Sequence, residues 1–185
     1  MRASPLANQV AACGVPWRED IERTYRSARA DAGMPARVKV RMSVSRDMSD
    51  DERRRFLLTG TRTAKLATVR PDGRPHVVPV WFVLDGDVVV LTVGAITVKS
   101  KNLLRDPRVT LCVDEEVPPY AFVMIEGVAS VSDDLDAMLR WATAIGGRYM
   151  GADRAETFGR RNAVPGELLV RVTPAHIVAR SGIAD

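Results

Sequence analysis

The chain has 185 residues, a formal charge of +4, 46% hydrophobic and 27% charged residues. These values describe one ordinary globular domain and exclude a chain that is disordered or membrane-embedded as a whole. So small a net charge is no nucleic-acid footprint, which needs cations gathered on one face. Two histidines a hundred residues apart, His76 and His176, and two isolated cysteines, Cys13 and Cys112, supply no zinc ligand set.

Residues 1–47 are rich in Arg, Ala, Asp and Pro, and read as an N-terminal extension. Within it only Trp17–Ala32 has a helical pattern, so the segment is either disordered or a single helix. Val10-Ala11-Ala12-Cys13 looks like a lipoprotein cleavage site but has no apolar stretch before it. No window reaches the roughly 18 apolar residues of a membrane span. Unpaired cysteines suit a reducing compartment, so a cytoplasmic location without membrane or nucleic-acid partners is expected.

The folded domain is expected over residues 48–185, opening at Ser49-Asp50-Asp51-Glu52, a capping box that starts a short helix ending at Gly60. The period then changes to that of strands: Thr63–Arg70, a Pro71-Asp72-Gly73 turn, Arg74–Leu84, an Asp85-Gly86-Asp87 turn and Val88–Val93. The Asp-Gly pairs are hairpin signals, and the three strands read as an antiparallel meander. A helix follows over Val98–Arg105, stopped by Asp106-Pro107. Strands are expected over Arg108–Asp114, apolar enough to be buried on both faces with Cys112 inside, and over Tyr120–Ser132. Helices over Asp133–Met150 and Arg154–Asn162 precede closing strands Glu167–Val172 and His176–Arg180. Strands joined mostly by hairpins, with helices at the corners, give a mainly β fold with helices, an α+β antiparallel barrel.

Three segments carry candidate chemistry. Thr97-Val98-Lys99-Ser100-Lys101-Asn102 opens a helix after a strand and holds two of the chain's four lysines. Open amides and a positive dipole end make it either a phosphate site or a plain solvated helix start. In His76-Val77-Val78-Pro79-Val80-Trp81-Phe82, proline cannot give an amide to a ladder, which puts the strand at an edge or bulge. Its free backbone groups could meet the polar edge of a flavin ring, or Pro79 could guard an edge with Trp81 as core. Tyr120 and Phe122 alternate to one face of their strand, as core or as a wall for a flat cofactor.

Together Ala67–Phe82, Lys99–Val109 and Ile125–Ala129 resemble the pyridoxamine 5'-phosphate oxidase-like split-barrel superfamily, with its FMN-binding-like fold. More narrowly, they resemble the flavin/deazaflavin oxidoreductases of the B type, which use coenzyme F420. The resemblance implies a cytoplasmic homodimer that transfers a hydride between the cofactor and a small organic substrate such as an enone, quinone or tetrapyrrole. It places Lys99 and Asn102 at the cofactor phosphate, with Thr97, Val98 and Thr92 beside them. It sets the backbone of Pro79, Val80 and Trp81 along the ring edge, and brings Tyr120 and Phe122 from the partner subunit over the cofactor. F420 is the first cofactor implied and FMN the alternative. An FMN-dependent oxidase or reductase, or a non-catalytic cofactor or haem carrier, are the alternative functions. The closing Ala179-Arg180-Ser181-Gly182 lacks the Arg-Leu-x-Pro segment of true vitamer oxidases. Direct hydride transfer needs no general acid or base, so no catalytic side chain is named. Arg148, Tyr149 and Arg161 could face a substrate, though a packing or solvated helix suits them better.

Overall fold

A computed structural model describes residues 45–184. The helix expected over Trp17–Ala32 lies outside them. The described chain runs β1 (Arg46–Asp47), α1 (Asp50–Leu58), β2 (Ala64–Val69), β3 (Pro75–Val80), β4 (Val83–Asp85), β5 (Val88–Gly94), α2 (Val98–Arg105), β6 (Arg108–Glu115), β7 (Ala121–Ser132), α3 (Leu135–Met150), a 3₁₀ turn at Ala152–Arg154, α4 (Ala155–Asn162) and β8 (Glu167–Ser181). It is the expected α+β class.

Helix α1 begins where the capping box places it. The Glu52 amide donates to Ser49 Oγ at 3.3 Å, and the Ser49 amide donates to the Glu52 carboxylate at 2.9 Å. Arg46 closes the same carboxylate in an ion pair at 2.7 Å, and its hydrogen bond holds the Glu52 pKa at about 2. The tight turns at Gly73 and Gly86 have φ of 81° and 61°, a region that glycine enters without steric cost.

All eight strands pair antiparallel in one sheet of order β3-β2-β6-β7-β8-β5-β4, with β1 added on β8. The expected meander does not form. Arg74–Leu84 is not one strand but two, broken at Trp81-Phe82, and the two halves occupy opposite ends of the sheet. Only two residues separate β3 from β4, so Val80 and Val83 lie within about 11 Å, the reach of three extended Cα steps. The sheet therefore curls until its two edges meet, and no ladder joins them. This open seam makes the barrel a split one.

One core fills the inside of the curl, with Leu66, Phe82, Val89, Leu91, Leu111, Val113, Val123, Ile125 and Val170 buried in it. Helix α3 covers the outside of β5 and β8, where Met138 and Trp141 pack on Val90 and Leu169. Strand β6 is not buried on both faces. Val109, Leu111 and Val113 are buried while Thr110, Cys112 and Asp114 between them are half-buried. The two closing strands are one long strand, because a bulge at Ala175 lets β8 carry Pro174 without leaving the sheet. Opposite it, Gly127 leaves no room for a side chain against the Thr173 backbone and Val172.

Helices α3 and α4 pack at a glycine contact. A Cβ on Gly146 would lie 2.6 Å from Phe158 Cβ, and one on Gly159 would lie 3.0 Å from Thr143 Cβ and 3.2 Å from its Cα. Backbone cannot yield as a flexible side chain does. Gly159→Ala is expected to cost roughly 1–3 kcal/mol in chemical denaturation, as an overpacked core contact does; unchanged stability would show that the helices are not in this close contact.

Candidate functional site

The seam leaves a cleft of about 350 Å³ lined by Thr63, Pro79, Val80, Trp81, Thr92, Lys99, Ile145 and Asn162. Five parts of the fold meet there: the residue before β2, the end of β3 with the crossing that follows it, strand β5, the start of α2, and the α3–α4 hairpin. Five of the residues expected at a cofactor, Pro79, Val80, Trp81, Thr92 and Lys99, line it together.

At the α2 end, Thr97 is the N-cap. Its hydroxyl accepts from the Ser100 amide at 3.4 Å and donates to Gly94 O at 2.9 Å, while Ser100 Oγ donates to Gly94 O at 2.5 Å. The Thr97 amide also reaches Gly94 O, at 3.2 Å. Of the four amides that a helix start leaves open, these bonds take two, so those of Val98 and Lys99 face outward with the positive end of the helix. No acidic residue stands in the first turn to neutralise it. The Thr97 hydroxyl itself is committed to the turn.

Asn102 does not line the cleft. It is buried, at 2% exposure, and its Nδ2 donates to Thr68 Oγ1 at 3.0 Å, tying α2 to β2. Arg105 donates to its Oδ1 at 3.4 Å. Val98 sits exposed at the helix start.

At the other end Pro79 lies on β3, the terminal strand of the sheet, which pairs only with β2. An edge is where a residue without an amide costs no ladder bond. Trp81 is not core: it is 38% exposed, with its ring stacked on Tyr149 at 4.8 Å and 3°. Phe158 of α4 meets the indole at 6.1 Å in a tilted arrangement.

Arg148 and Tyr149, at the end of α3, hold the crossing in place. The Phe82 amide donates to Tyr149 Oη at 3.2 Å, and the same hydroxyl donates to Arg62 O at 2.8 Å. Arg148 donates to Phe82 O at 2.9 Å, Leu57 O at 2.6 Å and Gly60 O at 3.2 Å, with its guanidinium over the Phe82 ring at 4.4 Å. These side chains satisfy the Phe82 backbone groups that a sheet neighbour would otherwise pair. Burial pushes the Tyr149 phenol up and the Arg148 pKa down. Arg161 is exposed, with its guanidinium 5.6 Å from the Phe158 ring centroid.

Tyr120 and Phe122 lie away from these lining residues. Tyr120 is exposed and its carbonyl accepts from the Ile183 amide at 2.9 Å; Phe122 is half-buried and pairs with Arg180. Thr63, Ile145 and Asn162 line the cleft without having been expected from sequence. A second groove of about 610 Å³ crosses β2, β6 and β7, with Val69 and Val128 among its lining residues. Both valines are exposed. Burial first, then Asp114, pushes the Cys112 thiol up, as for an inert packed thiol. No group of three His, Cys, Asp or Glu among the described residues could hold a metal ion, and no described helix is long and apolar enough to cross a membrane.

The family model described as pyridoxamine 5'-phosphate oxidase matches residues 49–180. Among solved structures, Rv2991 from Mycobacterium tuberculosis is similar with a TM-score of 0.66 and 26% identity, covering 80% of this chain and 91% of its own. An F420 reductase is similar with a TM-score of 0.52 and 26% identity over 66% of this chain and 94% of its own. HutZ, the heme storage protein from Vibrio cholerae, shares the fold at a TM-score of 0.59 and 21% identity, over 73% of this chain and 96% of its own.

The buried bond between Asn102 and Thr68 sets its own test. Removing the amide leaves the Thr68 hydroxyl without that donor, so Asn102→Ala is expected to lose roughly 1–3 kcal/mol of stability in urea denaturation. Full stability in that variant would mean that the bond does not anchor α2.

Proposed function

Because the chain belongs to the pyridoxamine 5'-phosphate oxidase family, matched over residues 49–180, we propose that its seam cleft binds coenzyme F420, with FMN the alternative, and that the protein is an oxidoreductase. The observation that carries this reading is the shared cleft itself. Lys99, at the start of α2, lines it together with Pro79, Val80 and Trp81. A phosphate fits beside Lys99, because cations and unpaired amides stabilise an anion at a helix start. A flat ring fits beside Trp81, where an exposed indole and an edge strand offer a face and unpaired backbone groups.

The bound cofactor would supply the hydride that passes to a small organic acceptor such as an enone, quinone or tetrapyrrole. The chain's own task is positional. Lys99 and the amides of Val98 and Lys99 hold the phosphate, Thr97 keeps that turn formed, and Thr92 offers a hydroxyl beside it. Asn102 acts through the fold, by anchoring α2 on Thr68. Val80, Trp81 and Ile145 keep water from the ring, which shortens the search for a productive alignment of donor and acceptor. None of these side chains has to exchange a proton.

A homodimer belongs to the same proposal. Tyr120 and Phe122 stand apart from the cleft within one chain, so a second copy would have to bring them over the cofactor. The apolar groove across β2, β6 and β7 offers a surface for that packing. The F420 reductase among the similar structures favours the deazaflavin, whereas HutZ favours a carrier role for the same fold.

Hydrogen bonds to charged groups contribute about 1.5–3 kcal/mol, so Lys99→Ala is expected to weaken cofactor binding roughly ten- to hundredfold in a fluorescence titration. Unchanged affinity would remove Lys99 from the site. Yellow protein that releases FMN on denaturation would favour the flavin; colourless protein that binds added F420 would favour the deazaflavin. Mixing with reduced cofactor and a panel of enones, quinones and tetrapyrroles separates enzyme from carrier, because a carrier leaves the coenzyme reduced.

A further inference from the structure

Among the described residues, Trp81 is the one aromatic that lines the cleft. It is 38% exposed, its ring lies parallel to that of Tyr149 at 4.8 Å, and Phe158 meets it at 6.1 Å in a tilted arrangement. An indole on a two-residue crossing between sheet edges has no ladder of its own to orient it. Tyr149 orients the indole with its ring and anchors the crossing with its hydroxyl. Its ring sets the plane of the indole, and its hydroxyl, accepting from the Phe82 amide and donating to Arg62 O, fixes the backbone that carries the indole. Its phenol is pushed up by burial, so it keeps the proton that the bond to Arg62 O requires.

We propose that Tyr149 is a positioning residue for the cofactor ring: by stacking on the back of Trp81 it makes the indole a fixed flat wall that selects planar ring systems. This rests on the seam cleft being the cofactor site, and it assigns the ring-selecting surface to the Trp81–Tyr149 pair. The phosphate is served by other residues, Lys99 and the start of α2, so ring binding and phosphate binding are separable. A slot with a rigid wall holds a planar ring with little left to immobilise, which is where preorganisation adds affinity.

The two halves of the Tyr149 role are tested by two variants. Tyr149→Met keeps an apolar side chain but removes the flat ring together with both hydrogen bonds, and Tyr149→Phe keeps the ring but removes both hydrogen bonds. Affinities for F420 and FMN are read by titration, and inorganic phosphate is used as a competitor that reports on the phosphate end alone. For whichever cofactor binds the wild type, Tyr149→Met is expected to lose about tenfold in affinity while competition by phosphate stays within about twofold. Tyr149→Phe is expected to stay within about threefold of the wild type despite a lower melting temperature. Should Tyr149→Met not fold, Trp81→Leu is expected to give the same loss of ring affinity with phosphate competition kept. Wild-type affinity in Tyr149→Met or in Trp81→Leu overturns the proposal, and so does an equal loss in Tyr149→Phe and Tyr149→Met, which would mark a merely structural residue. A wild type that binds neither cofactor overturns the functional reading and this proposal with it.

Discussion

The structure depends on one constraint of connectivity: Trp81 and Phe82 must carry the chain from one edge of the sheet to the other. β3 and β4 stand at opposite ends of the strand order, yet two residues join them. The sheet can meet that demand only by curling. Curling brings the edges together but gives them no shared ladder, so the backbone of the crossing has to find partners elsewhere. The end of α3 supplies them through Tyr149 to the Phe82 amide and Arg148 to the Phe82 carbonyl. Burying Phe82 in the core below and leaving Trp81 partly open above follows from the alternation of side chains along an extended segment.

The cleft is a consequence of the same seam. A closed ladder would leave no gap, whereas two edges held together by side chains leave a slot with β3 on one side and β5 and α2 near the other. Helix α2 brings Lys99 to this slot, and Thr97 and Ser100 use their hydroxyls to hold the turn at Gly94 where the helix starts. The α3–α4 hairpin covers the remaining side, its close approach set by Gly146 and Gly159. Ile145 and Asn162 reach the cleft from that hairpin. Stability and site thus share residues: the groups that seal the barrel also shape the place where a ligand can sit.

Local features could be read from sequence because their physics is local. The capping box at Ser49, the Asp-Gly turns and the helix start after Thr97 each involve partners within four residues. The break at Trp81-Phe82 was not readable, since the apolar run Val80-Trp81-Phe82-Val83 continues across it and the strands it joins differ only in their distant partners. Likewise the long closing strand looked like two, because Pro174 signals an end that a bulge opposite Gly127 absorbs. Of the candidate site, the five residues on β3, the crossing after it, β5 and α2 were identified by proline at an edge, by a helix start and by family resemblance. Thr63, Ile145 and Asn162 carried no such signal, since lining a cleft depends on how elements distant in sequence dock. Asn102 shows the converse, a polar residue in a suggestive pattern whose amide is spent inside the fold.

The central claim is that the open seam of the barrel is where an anionic cofactor with a flat ring binds. A crystal structure of the protein grown with F420 tests it most directly. The account predicts the phosphate at the first turn of α2 beside Lys99, the ring against Trp81, and Tyr120 and Phe122 of a second copy above it. A cofactor lodged in the groove across β2, β6 and β7, or anywhere with Lys99 and Trp81 untouched, would contradict it.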